Sequence, residues 1–237
     1  MIGASNSETP MRTIVIPIFN DVTHLDFTGP HQVLCRAPDT QVIVASVEGK
    51  DVVGDGLTFG NLTDLAAIER CDMIMIPGGG GTSEAMLDPV FMREISRLAA
   101  TATYVTSVCT GALVLGAAGL LVGKHATTHW SALDVLGLFG AIVETDRVVR
   151  DGNIFTGGGV TAGIDFGLVV LAELTDEAYA QSIQLQLEYA PQPPWNAGTP
   201  QSAPAAVLKA FNDRSVAGKA KRRAAVEEAV RRMPARA

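Results

Sequence analysis

The sequence predicts an α/β fold, with a mainly parallel sheet and helices on both faces. Three observations lead there. Short β-branched runs alternate along the chain with stretches of helical periodicity. Of the residues, 47% are apolar and only 5% aromatic, and the Ala-, Val-, Leu- and Gly-rich balance suits buried parallel strands under packed helices. Finally, Ser107-Val108-Cys109-Thr110-Gly111 puts a cysteine where a strand turns sharply into a helix, the pattern of a nucleophile elbow.

Arg12 to Ile18 reads as the first buried strand, leading into a helical stretch near Phe27 to Cys35. Gln41 to Val47 is a second strand and Asp64 to Glu69 a short helix. Cys71 to Ile76 is a strand that breaks into four glycines. Pro89, at home in a first helical turn, opens a helix to about Leu98. The elbow strand and a small-residue helix follow. Ala126 to Trp130 reads as a short strand and Ser131 to Leu138 as a helix. Ala141 to Val149 and Asn153 to Phe155 are strands around Asp151-Gly152. After Thr156-Gly157-Gly158-Gly159, one long helical pattern runs from Thr161 to Tyr189 and stops at PQPPW. The division is a polar tail at 1–11, one domain at 12–200 and a distinct segment at 201–237.

That last segment carries nine of the 18 Lys and Arg residues. Two readings stand: a basic arm for nucleic acid, or a pair of solvated helices packed on the domain edge. Val207, Leu208, Phe211, Val216, Val226 and Val230 recur at helical spacings, which favours packing. A length of 237 residues suits one α/β domain, and a net charge of −7 argues against nucleic acid as the main partner. The N-terminus has no apolar stretch of a secretory signal, and no run is apolar enough to span a membrane. Cys35, Cys71 and Cys109 form no C-x-x-C and leave one over, which fits a reducing cytoplasm better than a disulfide framework.

The elbow projects the sulfur of Cys109 into the crevice at the carboxyl ends of the strands. It also sets it at a helix N-terminus, which favours thiolate and should depress the thiol below its free pKa of about 8.5. The alternative is a buried structural cysteine. Pro77-Gly78-Gly79-Gly80-Gly81 follows a strand that should lie beside the cysteine strand. An N–H from Gly79 or Gly80, with that of Thr110, could form an anion-stabilising pocket over the sulfur. Asp26, between two apolar residues after the first strand, is either a helix N-cap or a buried functional carboxyl. Phe27, Thr28, Trp130 and Val160 are candidates for the substrate pocket, and His129 and His31 are further pocket candidates.

The stretches LDFTGP, IPGGGG, SVCTGALVLGAAGLLVGKHATTHW, TGGGVTAGIDFGL and QLQLEYAPQPPWNAGTP resemble, together, the ThiJ/PfpI group of the class I glutamine amidotransferase-like superfamily, and within it the isonitrile hydratases. The resemblance covers roughly residues 12 to 200. It implies a flavodoxin-like three-layer sandwich, a homodimer, and neither metal nor organic cofactor. It places the nucleophile on Cys109, its acidic partner on Asp26 and backbone donors on Gly79 and Thr110. The protease-like branch carries histidine directly after the cysteine, where this chain has Thr110.

A small apolar isonitrile, R–N≡C, suits a site without that histidine. Amide hydrolysis must expel a poor leaving amine, whereas an isonitrile carbon only gains a proton and a nucleophile. Three other readings stay open. One is a glyoxalase- or deglycase-like enzyme, whose relatives carry glutamate and a nearby histidine. Another is the sensor half of AraC-type regulators, which carry about a hundred further residues. The third is a redox-sensing or chaperone-like protein in which Cys109 is oxidised.

Overall fold

The computed structural model describes residues 11–233. β1 (Arg12–Pro17) leads to α1 (His24–Leu34) and β2 (Thr40–Ser46). A hairpin of β3 (Val52–Gly54) and β4 (Leu57–Phe59) precedes β5 (Thr63–Asp64) and β6 (Met73–Ile76). Then come α2 (Thr82–Ala85), α3 (Pro89–Ala99), β7 (Tyr104–Val108) and α4 (Gly111–Ala117). β8 (His125–Ala126), α5 (Leu133–Leu136) and β9 (Ile142–Val143) form an excursion before β10 (Val148–Asp151) and β11 (Ile154–Gly157). Three helices follow: α6 (Ala162–Leu174), α7 (Glu177–Gln186) and α8 (Ala205–Arg232).

Seven strands form one sheet in the order β10-β11-β7-β6-β1-β2-β5. Neighbours pair parallel except β10 with β11. The two-residue period of the strands builds a core on each face. Val15 joins a cluster with Ile74, Ile76, Phe91 and Leu113, covered by α3, α4 and the end of α8. Ile14 and Ile16 join another with Met73, Met75, Phe166 and Leu171, covered by α1, α6 and α7. This is the mainly parallel sheet with helices on both faces that the sequence predicts, and the flavodoxin-like three-layer sandwich that the resemblance implies. From β1 the chain passes first to β2 on one side, then to β6 on the other. The crevice above β1 and β6 is therefore the topological switch point, where open α/β sheets hold ligands.

Several elements differ from the sequence reading. The pattern from Thr161 to Tyr189 is two helices, because Thr175 leaves helical geometry and Asp176 caps α7 by accepting from the Tyr179 N–H at 2.8 Å. In the Ala126 to Trp130 stretch only Ala126 lies in a strand, and a 3-10 turn spans Trp130–Ala132. The helix expected from Ser131 to Leu138 is that turn, the short α5 and a second 3-10 turn at Gly137–Phe139. Asp64 to Glu69 reduces to a 3-10 turn at Leu65–Ala67. The expected pair of basic helices is the single 28-residue α8. Val226 and Ala229 dock it, while Val207 and Val216 stay exposed. The polar tail at 1–11 lies outside the described residues except for Met11.

Candidate active site

The strand ends set the geometry. Cys109 follows β7 with φ 57°, the left-handed region that so sharp a strand-to-helix turn requires. Its N–H donates to the carbonyls of Gly157 and Gly158, each at 3.0 Å. Its carbonyl accepts from Thr128 Oγ1 at 2.8 Å. Close packing at the elbow depends on glycine. A Cβ on Gly111 would lie 2.1 Å from the Ile76 carbonyl oxygen. One on Gly78 would lie 2.5 Å from the Thr110 nitrogen and 2.9 Å from Asp26 Oδ2.

Asp26 sits in the first turn of α1 and is fully buried. It is not the helix cap, a position held by Thr23. Its Oδ2 instead accepts from the Gly78 N–H at 3.1 Å, across the crevice. The two loops are pinned together there. The Thr23 N–H donates to the Gly78 carbonyl at 3.0 Å, and Val22 bridges to Gly79. The Asp26 carboxyl faces the Cys109 thiol. Among the described residues its Oδ1 has no hydrogen-bond partner.

Burial pushes the Asp26 carboxyl up to about 7, and the contacts from Cys109 and Gly78 counter it only in part. The Cys109 thiol is also pushed up, first by burial and then by the Asp26 charge. This reverses the expected depression of the thiol. A helix N-terminus offers about 0.3–2 kcal/mol to an anion. Taking a charge out of water costs several kcal/mol, and Cys109 is only 5% exposed. The N–H groups of Thr110 and Val160 face the sulfur and pull its pKa back part of the way. Thiol and carboxyl therefore titrate as a pair that keeps at least one proton at neutral pH.

The predicted backbone donors divide. Thr110 presents its N–H to the sulfur. The Gly79 N–H instead donates to Thr110 Oγ1 at 3.0 Å, and Thr110 Oγ1 pairs with Thr82 Oγ1 at 2.8 Å. That lattice ties the β6 loop to the elbow. Gly80 lies beside Asp21. The second N–H at the sulfur comes from Val160, which the sequence marks only as a pocket residue. Val160 has φ 23°, an unusual value for a β-branched side chain. A backbone amide has no side-chain signature, so nothing in the sequence announces this contact.

Trp130 and Val160 come together, lining a cavity of about 610 Å³ with Thr128, His129, Arg147 and Gly198. Phe27 and Thr28 do not join them. Phe27 packs edge-on against Phe59, ring centroids 5.0 Å apart, and lines a separate cavity of about 490 Å³. Thr28 Oγ1 donates to the His24 carbonyl of its own helix at 3.0 Å. Trp130 is covered by α8, with Phe211 at 4.9 Å and the Lys219 ammonium 5.6 Å above its ring. His31 lies in the last turn of α1, whereas Asp26 lies in the first.

The other two thiols sit in different surroundings. Cys71 is buried beneath α3, where its Sγ donates to the Leu98 carbonyl, and burial raises it to about 11. Cys35 is exposed. Among the described residues no group of three His, Cys, Asp or Glu side chains is placed to hold a metal ion. Nor, among them, is any helix long and apolar enough to cross a membrane.

The isonitrile hydratase of Pseudomonas putida is 52% identical over 195 residues, covering 81% of this chain and 84% of that protein. A crystal structure of a ThiJ/PfpI family protein from Pseudomonas syringae matches with a TM-score of 0.88 at 38% identity, over 95% of this chain and 96% of that one. Drosophila melanogaster DJ-1beta shares the fold, with a TM-score of 0.67 at 24% identity over 76% of this chain and 99% of that one. The DJ-1/PfpI family matches residues 12–173, a span that runs from β1 into α6 and holds Asp26, Gly78 and Cys109 alike. The chain belongs to the DJ-1/PfpI family.

Proposed function

We propose that this protein is an isonitrile hydratase, converting R–N≡C and water to the N-formamide R–NH–CHO. One observation carries the reading: a buried thiol, Cys109, faces a buried carboxyl, Asp26, and the carboxyl titrates near neutrality. The 52% identity to the Pseudomonas putida isonitrile hydratase supports it.

The chemistry follows from the shared proton. Asp26 as carboxylate takes the Cys109 proton while the sulfur bonds to the terminal carbon of the isonitrile. Asp26 then delivers that proton to the same carbon, giving the thioimidate R–N=CH–S–Cys109. The carboxylate next draws a proton from water, whose oxygen adds to the carbon, and passes the proton to nitrogen. The adduct R–NH–CH(OH)–S–Cys109 collapses, its C–S bond breaks, and the hydroxyl proton returns to the sulfur through Asp26. Nothing but the thiolate leaves, so no acid is needed to expel an amine. The Thr110 and Val160 N–H groups stabilise the sulfur as it gains and sheds charge.

The proposal takes a small isonitrile as substrate, needs no cofactor, and places the protein in the cytoplasm as a homodimer. Formamide production from a panel of alkyl and aryl isonitriles, beside Cys109→Ala, tests the activity. Turnover lost in the variant supports the reading. No formamide from wild type across the panel would discard it. Sedimentation at micromolar concentration tests the dimer, and a monomer would remove that part.

A further inference from the structure

On either side of Trp130 in the chain, His129 and Ser131 build a second polar cluster that reaches the 610 Å³ cavity. His129 Nδ1 accepts from the Ser131 N–H at 3.2 Å and pairs with Ser131 Oγ at 2.8 Å. Arg222 of α8 donates to Ser131 O at 2.8 Å and to Ser131 Oγ at 3.3 Å. A guanidinium only donates, so Ser131 Oγ accepts from Arg222 and its own proton is free for Nδ1. With Nδ1 already an acceptor for the Ser131 N–H, the ring proton belongs on Nε2. Nε2 meets no acceptor among the described residues. The imidazole edge lies against Gly159, where a Cβ would stand 2.1 Å from Cδ2 and 3.0 Å from Nε2. Glycine at 159 is what makes room for that edge.

Building on the hydratase reading, we propose that His129, held by Ser131 and Arg222, is a fixed Nε2–H donor in the cavity wall. It takes a neutral hydrogen-bond acceptor, such as an ester or amide carbonyl, on the R group of the isonitrile. The charges around the ring agree. Arg222 and Lys219, both from α8, oppose an imidazolium, and burial acts first in the same direction. Arg147 of the same cavity is already paired with Asp165 and donates to Thr161 Oγ1 at 3.2 Å. Asp146 on the same wall disfavours a carboxylate in the substrate. The basic segment thus acts on the polarity of the cavity through Arg222 and Lys219, of which Arg222 holds Ser131 directly. Arg222 is a positioning residue.

Two readouts test this. The first is the ratio of kcat/KM for ethyl isocyanoacetate to that for n-pentyl isonitrile. Wild type should favour the ester by about tenfold, the worth of one good hydrogen bond. His129→Gln should keep the preference, because its amide nitrogen takes the place of Nε2. His129→Asn should lose it, because its amide mimics Nδ1. No preference in wild type, or a preference surviving in His129→Asn, would overturn the assignment. The second readout is the imidazole nitrogen spectrum of the free protein. It should show His129 as the Nε2–H tautomer from pH 5 to 8, and Arg222→Met, which removes a cation beside the ring, should let the ring take its second proton at a higher pH than in wild type. An Nδ1–H signal in wild type would overturn the lock. If wild type turns over neither isonitrile, the hydratase reading falls and the substrate assignment with it. The spectrum still decides the lock.

Discussion

The Gly78 N–H donates to Asp26 Oδ2 at 3.1 Å, joining a helix carboxyl to a loop 52 residues further along the chain. This bond fixes Asp26 at the switch point of the sheet and turns its carboxyl toward Cys109. It is too weak to offset burial, so Asp26 holds a proton to about pH 7.

Asp26→Asn should retain the fold and lose turnover by at least about a hundredfold, since an amide cannot relay a proton. The same substitution should stabilise the protein at pH 8. Between about pH 4 and 7 the folded chain keeps a proton that the unfolded chain gives up, so stability falls as pH rises through that window and stays low above it. Removing the buried acid should recover on the order of a few kcal/mol at pH 8 and almost nothing at pH 4. Thermal melts of both proteins at the two pH values measure this, and equal melting temperatures at pH 8 would refute it.

Wild-type kcat/KM for an isonitrile should rise with pH up to about 7 and then level off. Below that value thiol and carboxyl are both protonated, and no base is present to take the sulfur proton. The expected slope on the acid side is about tenfold per pH unit. A flat profile from pH 5.5 to 8.5 would count against Asp26 as the base.

Alkylation separates the thiol from the turnover. The Asp26 charge holds the Cys109 thiol up, so Asp26→Asn should make Cys109 react faster with iodoacetamide at pH 8.5 even as catalysis disappears. A variant alkylated more slowly than wild type would mean that Asp26 activates the thiol toward every electrophile. Mass spectrometry of the labelled protein distinguishes Cys109 from the exposed Cys35.

Gly78→Ala should damage the site while leaving both reacting residues, Cys109 and Asp26, in the sequence. The new Cβ would press on the Thr110 nitrogen and on Asp26 Oδ2 together. A loss of about 1–3 kcal/mol in stability is expected from such crowding, with a fall of about a hundredfold in kcat from displacement of the pair. Wild-type kcat in this variant would show that the spacing is not critical.

The central parallel strands β1, β2, β6 and β7 and the elbow were legible because their signals are local, whereas β3, β4 and β5 were not read and the single strand expected at Ala141 to Val149 is the separate β9 and β10. Parallel strands are continuous β-branched runs, and a tight turn needs Ser107 and Gly111 around Cys109. Asp26 was legible only as one of two possibilities, since its partner Gly78 lies far along the chain. The thiol pKa direction was misread because desolvation depends on three-dimensional burial. Helical periodicity carried across Thr175, where the capping Asp176 was a visible warning. In α8 the opposite happened: Gly218 looks like a breaker, but it faces open space and the helix runs through.

The far end of α8 has a further bearing on the protein as a material object. Val226 and Ala229 share one apolar cluster with Val15, Ile74 and Phe139. Cutting the chain at the edge of the recognised family segment would remove α7 and α8 and leave apolar surface bare on both faces of the sheet. The family match thus spans a shorter stretch than the one that closes the core on both faces of the sheet. An expression clone trimmed to that stretch should yield aggregate.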